Sequence, residues 1–215
     1  MFKVTQVGSW PRSKELLQAL RAYQKNEITS ADFNRIADAE IRTCIDYQHK
    51  AGVDIVIDGE LRRDNFYSFV TDKLEGTRLM SLAEMLDVVE DKSGFEEILQ
   101  TLDVPASAIR NPTCTGKLSL REHFAVADYL FLKEHTDKAV KITLPGPYLL
   151  TRAMWVNDFS SGAYADKAEM GEDIVRLLRE EVTALRDSGC DFVQFDEPVL
   201  TEVVFSEEND RRTFM

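Results

Sequence analysis

The sequence predicts an α/β fold built on a parallel sheet with helices over both faces. Three observations carry this. Short apolar runs of strand length alternate with amphipathic helical stretches. A helix–glycine–strand unit occurs twice, and polar or turn-forming residues collect after each candidate strand. The first unit ends in GVDIVIDGE (52 to 60) and the second in GCDFVQFDEP (189 to 198). In each, an Asp follows soon after the glycine (Asp54, Asp191) and a Glu closes the strand (Glu60, Glu197). Carboxylates at the end of a buried strand are costly unless a cation meets them, so a basic partner, an amine or a metal is expected there.

Taken in order, KVTQV (3 to 7) reads as a first strand, followed by the turn Gly8-Ser9-Trp10-Pro11-Arg12. Phe33, Ile36, Ala37, Ile41, Cys44, Ile45 and Gln48 then recur at helical spacing after the capping residues Thr29 to Asp32, and Gly52 supplies the stop. Strand VDIVI follows. A helical insertion is expected around 76–111, with its amphipathic part at 82 to 102, and then a weak strand near TCTGKL (113 to 118). Helix 121 to 135, strand VKITL (140 to 144), a helix through Met170, Ile174, Leu177, Leu178, Val182 and Leu185, the stop Gly189 and strand FVQF complete the series. No low-complexity linker interrupts it, which predicts one domain over 1–215.

Composition narrows the function. With 44% hydrophobic residues, 215 residues are enough to bury a substantial core, and the net charge of −12 argues against a nucleic-acid surface. The apolar runs are of strand length and the N-terminus lacks a signal-peptide core, so a soluble cytoplasmic protein with no membrane partner is expected. Cys44, Cys114 and Cys190 form no CxxC pair, and His49, His123 and His135 form no HxxxH pair. Neither a disulfide framework nor a local metal site is encoded, and no metal ligand is assigned.

GSWPR, the QxxxGxDxxxDGE pattern from Gln48 to Glu60 with Arg63 beyond it, LPGP at 144 to 147 and QFDEP at 194 to 198 occur in one order along the chain. Together they resemble the catalytic C-terminal barrel of cobalamin-independent methionine synthase, the MetE-like family. The resemblance covers nearly the whole chain. It implies a TIM (β/α)8-type barrel, here incomplete, with about five βα units and the C-terminal strands missing, since a closed barrel takes ~250 residues. It also implies methyl transfer from methyltetrahydrofolate, or another methyl donor, to the thiol of homocysteine. Zinc would hold that thiol as the nucleophilic thiolate.

Residue by residue, the resemblance gives Ser9 the substrate's carboxylate, and gives Glu60 and Asp196 its ammonium group. Each has a structural alternative: Ser9 as the cap of a helix starting near Pro11, Glu60 and Asp196 as solvated or locally paired acids. Glu197 either binds ligand or braces the site against Arg12 or Arg63. Asn65 stands where the family carries an acid, which weakens a charge-based role there. Trp155 either stacks on a pterin or packs as an ordinary aromatic. LPGPY departs from the family's more usual Gly-Pro-Val-Thr, and folate recognition is open at that point.

The family's zinc ligands follow the DEP strand as a His-x-Cys pair, a Glu and a Cys, whereas no His or Cys follows Cys190 here. Zinc is therefore expected only in a complete protein. Three origins stay open: part of a longer enzyme, a half-barrel completed by self-association or by a complementing C-terminal half, or a non-catalytic ligand-binding fragment. Related family members alkylate other small thiols such as coenzyme M. The uroporphyrinogen decarboxylase barrel is a remoter alternative that would need basic residues at the barrel mouth, and this mouth is rich in carboxylates.

Overall fold

A computed structural model describes residues 2–81, 84 and 110–200. The chain divides into two compact units. Of the described residues, the first comprises 2–69, 123–144 and 181–195, and the second 70–81, 84, 110–122, 145–180 and 196–200.

In the first unit, helix α1 (Lys14–Gln24) starts at Ser13, whose hydroxyl accepts from the Leu16 N–H. Helix α2 (Ser30–Lys50) opens with a capping box in which Thr29 and Asp32 each accept from the other's backbone. It buries Phe33, Ala37, Ile41, Cys44, Ile45 and Gln48, nearly the whole apolar stripe seen in the sequence. Gly52, at φ +75, stops it. Strand β1 (Ile55–Val56) is short. Gln48 extends its order by hydrogen bonding to both sides of Ile57: Oε1 accepts from the Ile57 N–H at 3.0 Å, and Nε2 donates to the Ile57 carbonyl at 2.8 Å. Segment 3–7 approaches β1 through one parallel bridge, Thr5 to Ile55, rather than as a full strand. The Asp54 carboxylate accepts the Val4 N–H there.

The second unit begins with the single turn α3 (Val70–Lys73), which leads into β2 (Leu74–Ser81). That strand pairs antiparallel with β3 (Arg110–Leu120), with a register shift at Gly76. The strand expected at 113 to 118 therefore exists, but as half of this separate ribbon and not as a member of the parallel sheet. Of the stretch expected as a helical insertion, 76–81 and 110–111 are strand. The amphipathic segment 85 to 102 lies outside the described residues.

The next elements return to the first unit. Helix α4 (Val126–Glu134) has Ala125 at its N-cap and no capping side chain of its own. Instead Glu181, fully buried, accepts the N–H groups of Phe124 and Ala125 at 2.9 and 2.8 Å and meets His123 Nδ1 at 2.8 Å. Strand β4 (Ala139–Pro145) pairs parallel with β1, Ile55 with Ala139 and Val56 with Val140.

Helices α5 (Pro147–Met154) and α6 (Asn157–Ser160) belong to the second unit, and α7 (Lys167–Asp187) leads to β5 (Phe192–Asp196). The three-stranded sheet runs β1-β4-β5, following chain order. With segment 3–7 beside β1, this is the sequence of neighbours that consecutive βα units produce. Among the described residues no helix is long and apolar enough to cross a membrane.

Candidate functional site

The turn after β1, Asp58-Gly59-Glu60, is buried throughout, and Glu60 holds a backbone φ of +56. A non-glycine residue in that left-handed region costs conformational energy and persists where surrounding contacts over-determine it. Those contacts are visible. The Glu60 N–H donates to Asp58 Oδ1 at 3.0 Å. Arg12 Nη2 donates to the carbonyls of Glu60 and Arg63 at 2.8 and 2.7 Å. The Trp10 N–H donates to the Gly59 carbonyl at 2.9 Å, so the Gly8-Ser9-Trp10 segment and the Glu60 turn are joined.

The Glu60 carboxylate is 3% exposed. Its Oε1 accepts the Thr143 hydroxyl at 2.7 Å and stands 3.9 Å from Arg63 Nη1, while Arg63 Nη1 donates to Thr143 Oγ1 at 3.2 Å. Gly8 lies directly against it: a Cβ at that position would meet Oε1 at 2.5 Å, closer than real side chains come. The Arg63 guanidinium lies 4.4 Å above the Phe69 ring centre. Its Nε and Nη2 atoms, and Asp58 Oδ2, are buried without hydrogen-bond partners among the described residues. Burial lowers the Arg12 pKa from its ordinary value, and the carboxylates of Glu60, Asp64 and Asp58 pull it back up.

The other expected residues divide clearly. Ser9 is exposed and does not cap α1; Ser13 does, because the helix starts at Lys14 rather than near Pro11. Asn65 is committed locally, its Oδ1 accepting the N–H groups of Tyr67 and Ser68, which fits its amide replacing an acid.

In the second unit, Glu197 turns to neither arginine. It accepts the N–H groups of Tyr148 and Leu149 at 2.7 and 2.8 Å, capping α5. Its side chain lies over Gly146, where a Cβ would overlap the carboxylate. Asp196 is half-buried at the end of β5, and its carbonyl accepts the Gly146 N–H at 2.8 Å. Trp155 is the half-buried C-cap of α5. Thr143 was not singled out in the sequence, because it sits inside the apolar run VKITL and its position reads as plain strand interior.

The described residues do not fit a zinc centre. No three His, Cys, Asp or Glu side chains among them gather to hold a metal. The thiols are buried as neutral groups, that of Cys44 pushed up to about 12 by burial against the opposing hydrogen bond from Gln48. An open cleft of about 480 Å³ beside α1 and α2 is lined by Arg12, Ser13, Arg35 and Glu40 among others, and includes neither Ser9 nor Glu60.

A family model described as cobalamin-independent synthase, catalytic domain, matches residues 2–215. A methionine synthase from Saccharolobus solfataricus is 26% identical over 203 residues, covering 93% of this chain and 54% of its own length. A 5-methyltetrahydropteroyltriglutamate–homocysteine methyltransferase from Halalkalibacterium halodurans is 24% identical across all of this chain and 26% of its own length. The chain thus spans between a quarter and about half of these relatives. Among solved structures, a B12-independent methionine synthase from Shewanella sp. W3-18-1 in complex with selenomethionine has a TM-score of 0.60 at 23% identity, covering 82% of this chain and 47% of that one. A protein from Listeria monocytogenes reaches 0.68 at 22% identity, covering 99% and 57%. At those identities the structures show the shared fold.

Proposed function

The chain belongs to the cobalamin-independent synthase catalytic-domain family, and from that premise we propose that the protein carrying it transfers a methyl group to the thiol of homocysteine. The observation that carries this reading is the buried, uniquely fixed carboxylate of Glu60. A negative charge held out of water between Gly8, Thr143 and Arg63 is suited to a substrate's ammonium group, because charge-assisted hydrogen bonds in a dry site are both strong and directional. Ser9, exposed on the segment joined to that turn, takes the substrate carboxylate. Asp196 belongs to the other unit, and its assignment to the ammonium group rests on the QFDEP motif. The relative solved with selenomethionine, itself an amino acid, supports an amino-acid ligand over the sulfonate of coenzyme M.

Methyltetrahydrofolate is the donor the family resemblance favours. Zinc would supply thiol activation in the complete protein, and none of the described residues is assigned to it. The test is methyl transfer to homocysteine by the full-length gene product, with and without Glu60→Gln. Losing one charge-assisted bond to an ammonium is worth about 1.5–3 kcal/mol, so Glu60→Gln is expected to weaken substrate binding roughly ten- to a hundredfold. Wild-type substrate affinity in that variant would remove Glu60 from the site. Methyl transfer to coenzyme M but not to homocysteine would favour the alternative thiol.

A further inference from the structure

Two buried opposite charges ordinarily close on one another, because direct contact recovers part of the hydration each has lost. Glu60 and Arg63, each 3% exposed, stay apart: Arg63 Nη1 is 3.9 Å from Glu60 Oε1, against about 2.7–2.9 Å for a closed charge-assisted hydrogen bond. The Thr143 hydroxyl bridges the two from one side, its contacts to them meeting at nearly a right angle at Oγ1. It donates to Glu60 Oε1 at 2.7 Å and accepts from Arg63 Nη1 at 3.2 Å, which commits its single proton. The Thr143 methyl group faces Gly8, 3.6 Å from where a Cβ would stand. The rest of the guanidinium lies over the Phe69 ring, and its Nε and Nη2 have no hydrogen-bond partner among the described residues. Arg63 is thus a buried cation within a small side-chain movement of the acid, linked to it through one bridging hydroxyl.

We propose that Thr143 is a positioning residue whose hydroxyl acts as a spacer, keeping Glu60 and Arg63 from forming a direct ion pair and so leaving the Glu60 carboxylate to a ligand's ammonium group. This rests on the reading of Glu60 as the ammonium-binding acid. With the spacer present, Glu60 offers an incoming cation a carboxylate oriented by a neutral donor. Without it, Arg63 reaches the carboxylate first, and the ammonium must compete with a guanidinium already in place. A hydroxyl that bridges the two charges therefore trades some stability of the free site for selectivity toward amine-bearing ligands.

Thr143→Val keeps the shape and removes the hydroxyl. Binding of L-methionine and of its desamino analogue is measured by titration calorimetry on the full-length gene product. Wild type is expected to prefer L-methionine. Thr143→Val is expected to lose roughly tenfold or more in affinity for L-methionine and to keep its affinity for the desamino analogue. Thr143→Ser is expected to retain the preference, and Thr143→Val combined with Arg63→Gln to regain it, because the competing cation is gone. Unchanged preference in Thr143→Val, loss of preference in Thr143→Ser, or a double variant no better than the single one overturns the spacer role and leaves Glu60 as the ammonium partner. A wild type that does not prefer L-methionine overturns the ammonium reading and the spacer with it. If Thr143→Val does not fold, the wild-type complex with L-methionine decides. The ammonium should contact Glu60 with the Thr143 bond intact, and a complex in which that bond has broken overturns the proposal.

Discussion

At the scale of single residues, the molecule relies on close approach as much as on charge. Because a Cβ at Gly8 would fall 2.5 Å from Glu60 Oε1, Gly8→Ala should push the carboxylate off the Thr143 hydroxyl. We expect amino-acid affinity to fall at least as far as in Glu60→Gln, about tenfold or more, as calorimetry would show, while wild-type affinity would mean that the carboxylate has room to move. The thiols make a second prediction. Cys44 is raised from 9.0 to about 12 by burial, with Gln48 opposing and the Asp58 charge adding to the rise. Its folded pKa lies above the unfolded one, so its contribution to stability is complete below about pH 9 and is lost as the pH climbs from there toward 12. Burial pushes Cys114 and Cys190 the same way. Denaturant midpoints should therefore fall across that alkaline window, and a Cys44→Ala variant should fall less steeply. Equal slopes would show that this thiol does not set the alkaline limb.

At the scale of elements, two side chains take over work that the local sequence leaves undone. Gln48 substitutes for a missing strand neighbour at Ile57, and Gln48→Leu leaves a buried N–H and carbonyl unpaired, at a cost of about 1–3 kcal/mol in chemical denaturation. Glu197 supplies the cap of α5, so Glu197→Ala should cost about 0.5–2 kcal/mol and expose the Tyr148 and Leu149 amides to faster hydrogen exchange. Unaltered exchange there would refute the capping role.

These elements also show what was legible beforehand. The strand-end carboxylates leave Glu60 open between a solvated and a paired acid, whereas the α2 stripe and both glycine stops follow from periodicity. The β2–β3 ribbon does not, because its strands are far apart in the chain and their register depends on a bulge at Gly76. Thr143 escaped notice for a related reason. Only the pairing of β4 beside β1 brings a strand-interior threonine to the Glu60 turn, and no local pattern encodes that pairing.

At the scale of the whole molecule, unit one leaves apolar surface at the margins of its sheet. On β5, at one end of the strand order, Phe192 and Phe195 are 41% and 44% exposed, and on the segment before Gly8, Phe2 and Val7 are 99% and 81% exposed. Sheet edges carrying aromatic side chains recruit other chains, so residues 1–215 in isolation should self-associate, or accept a complementing C-terminal half. Light scattering over a concentration series should show mass rising above that of one chain. A compact monomer at high concentration would refute this.

The two borrowed caps set a timetable for synthesis. Helix α4 waits for Glu181 and helix α5 for Glu197, each supplied by residues made some fifty positions later. A ribosome-bound chain that has not yet delivered those glutamates holds two helices with open N-termini, which lock only when the carboxylates arrive. The order of translation is thus written into the fold as late-arriving latches, and synonymous changes that slow translation just before Glu181 would prolong the interval in which α4 can fray.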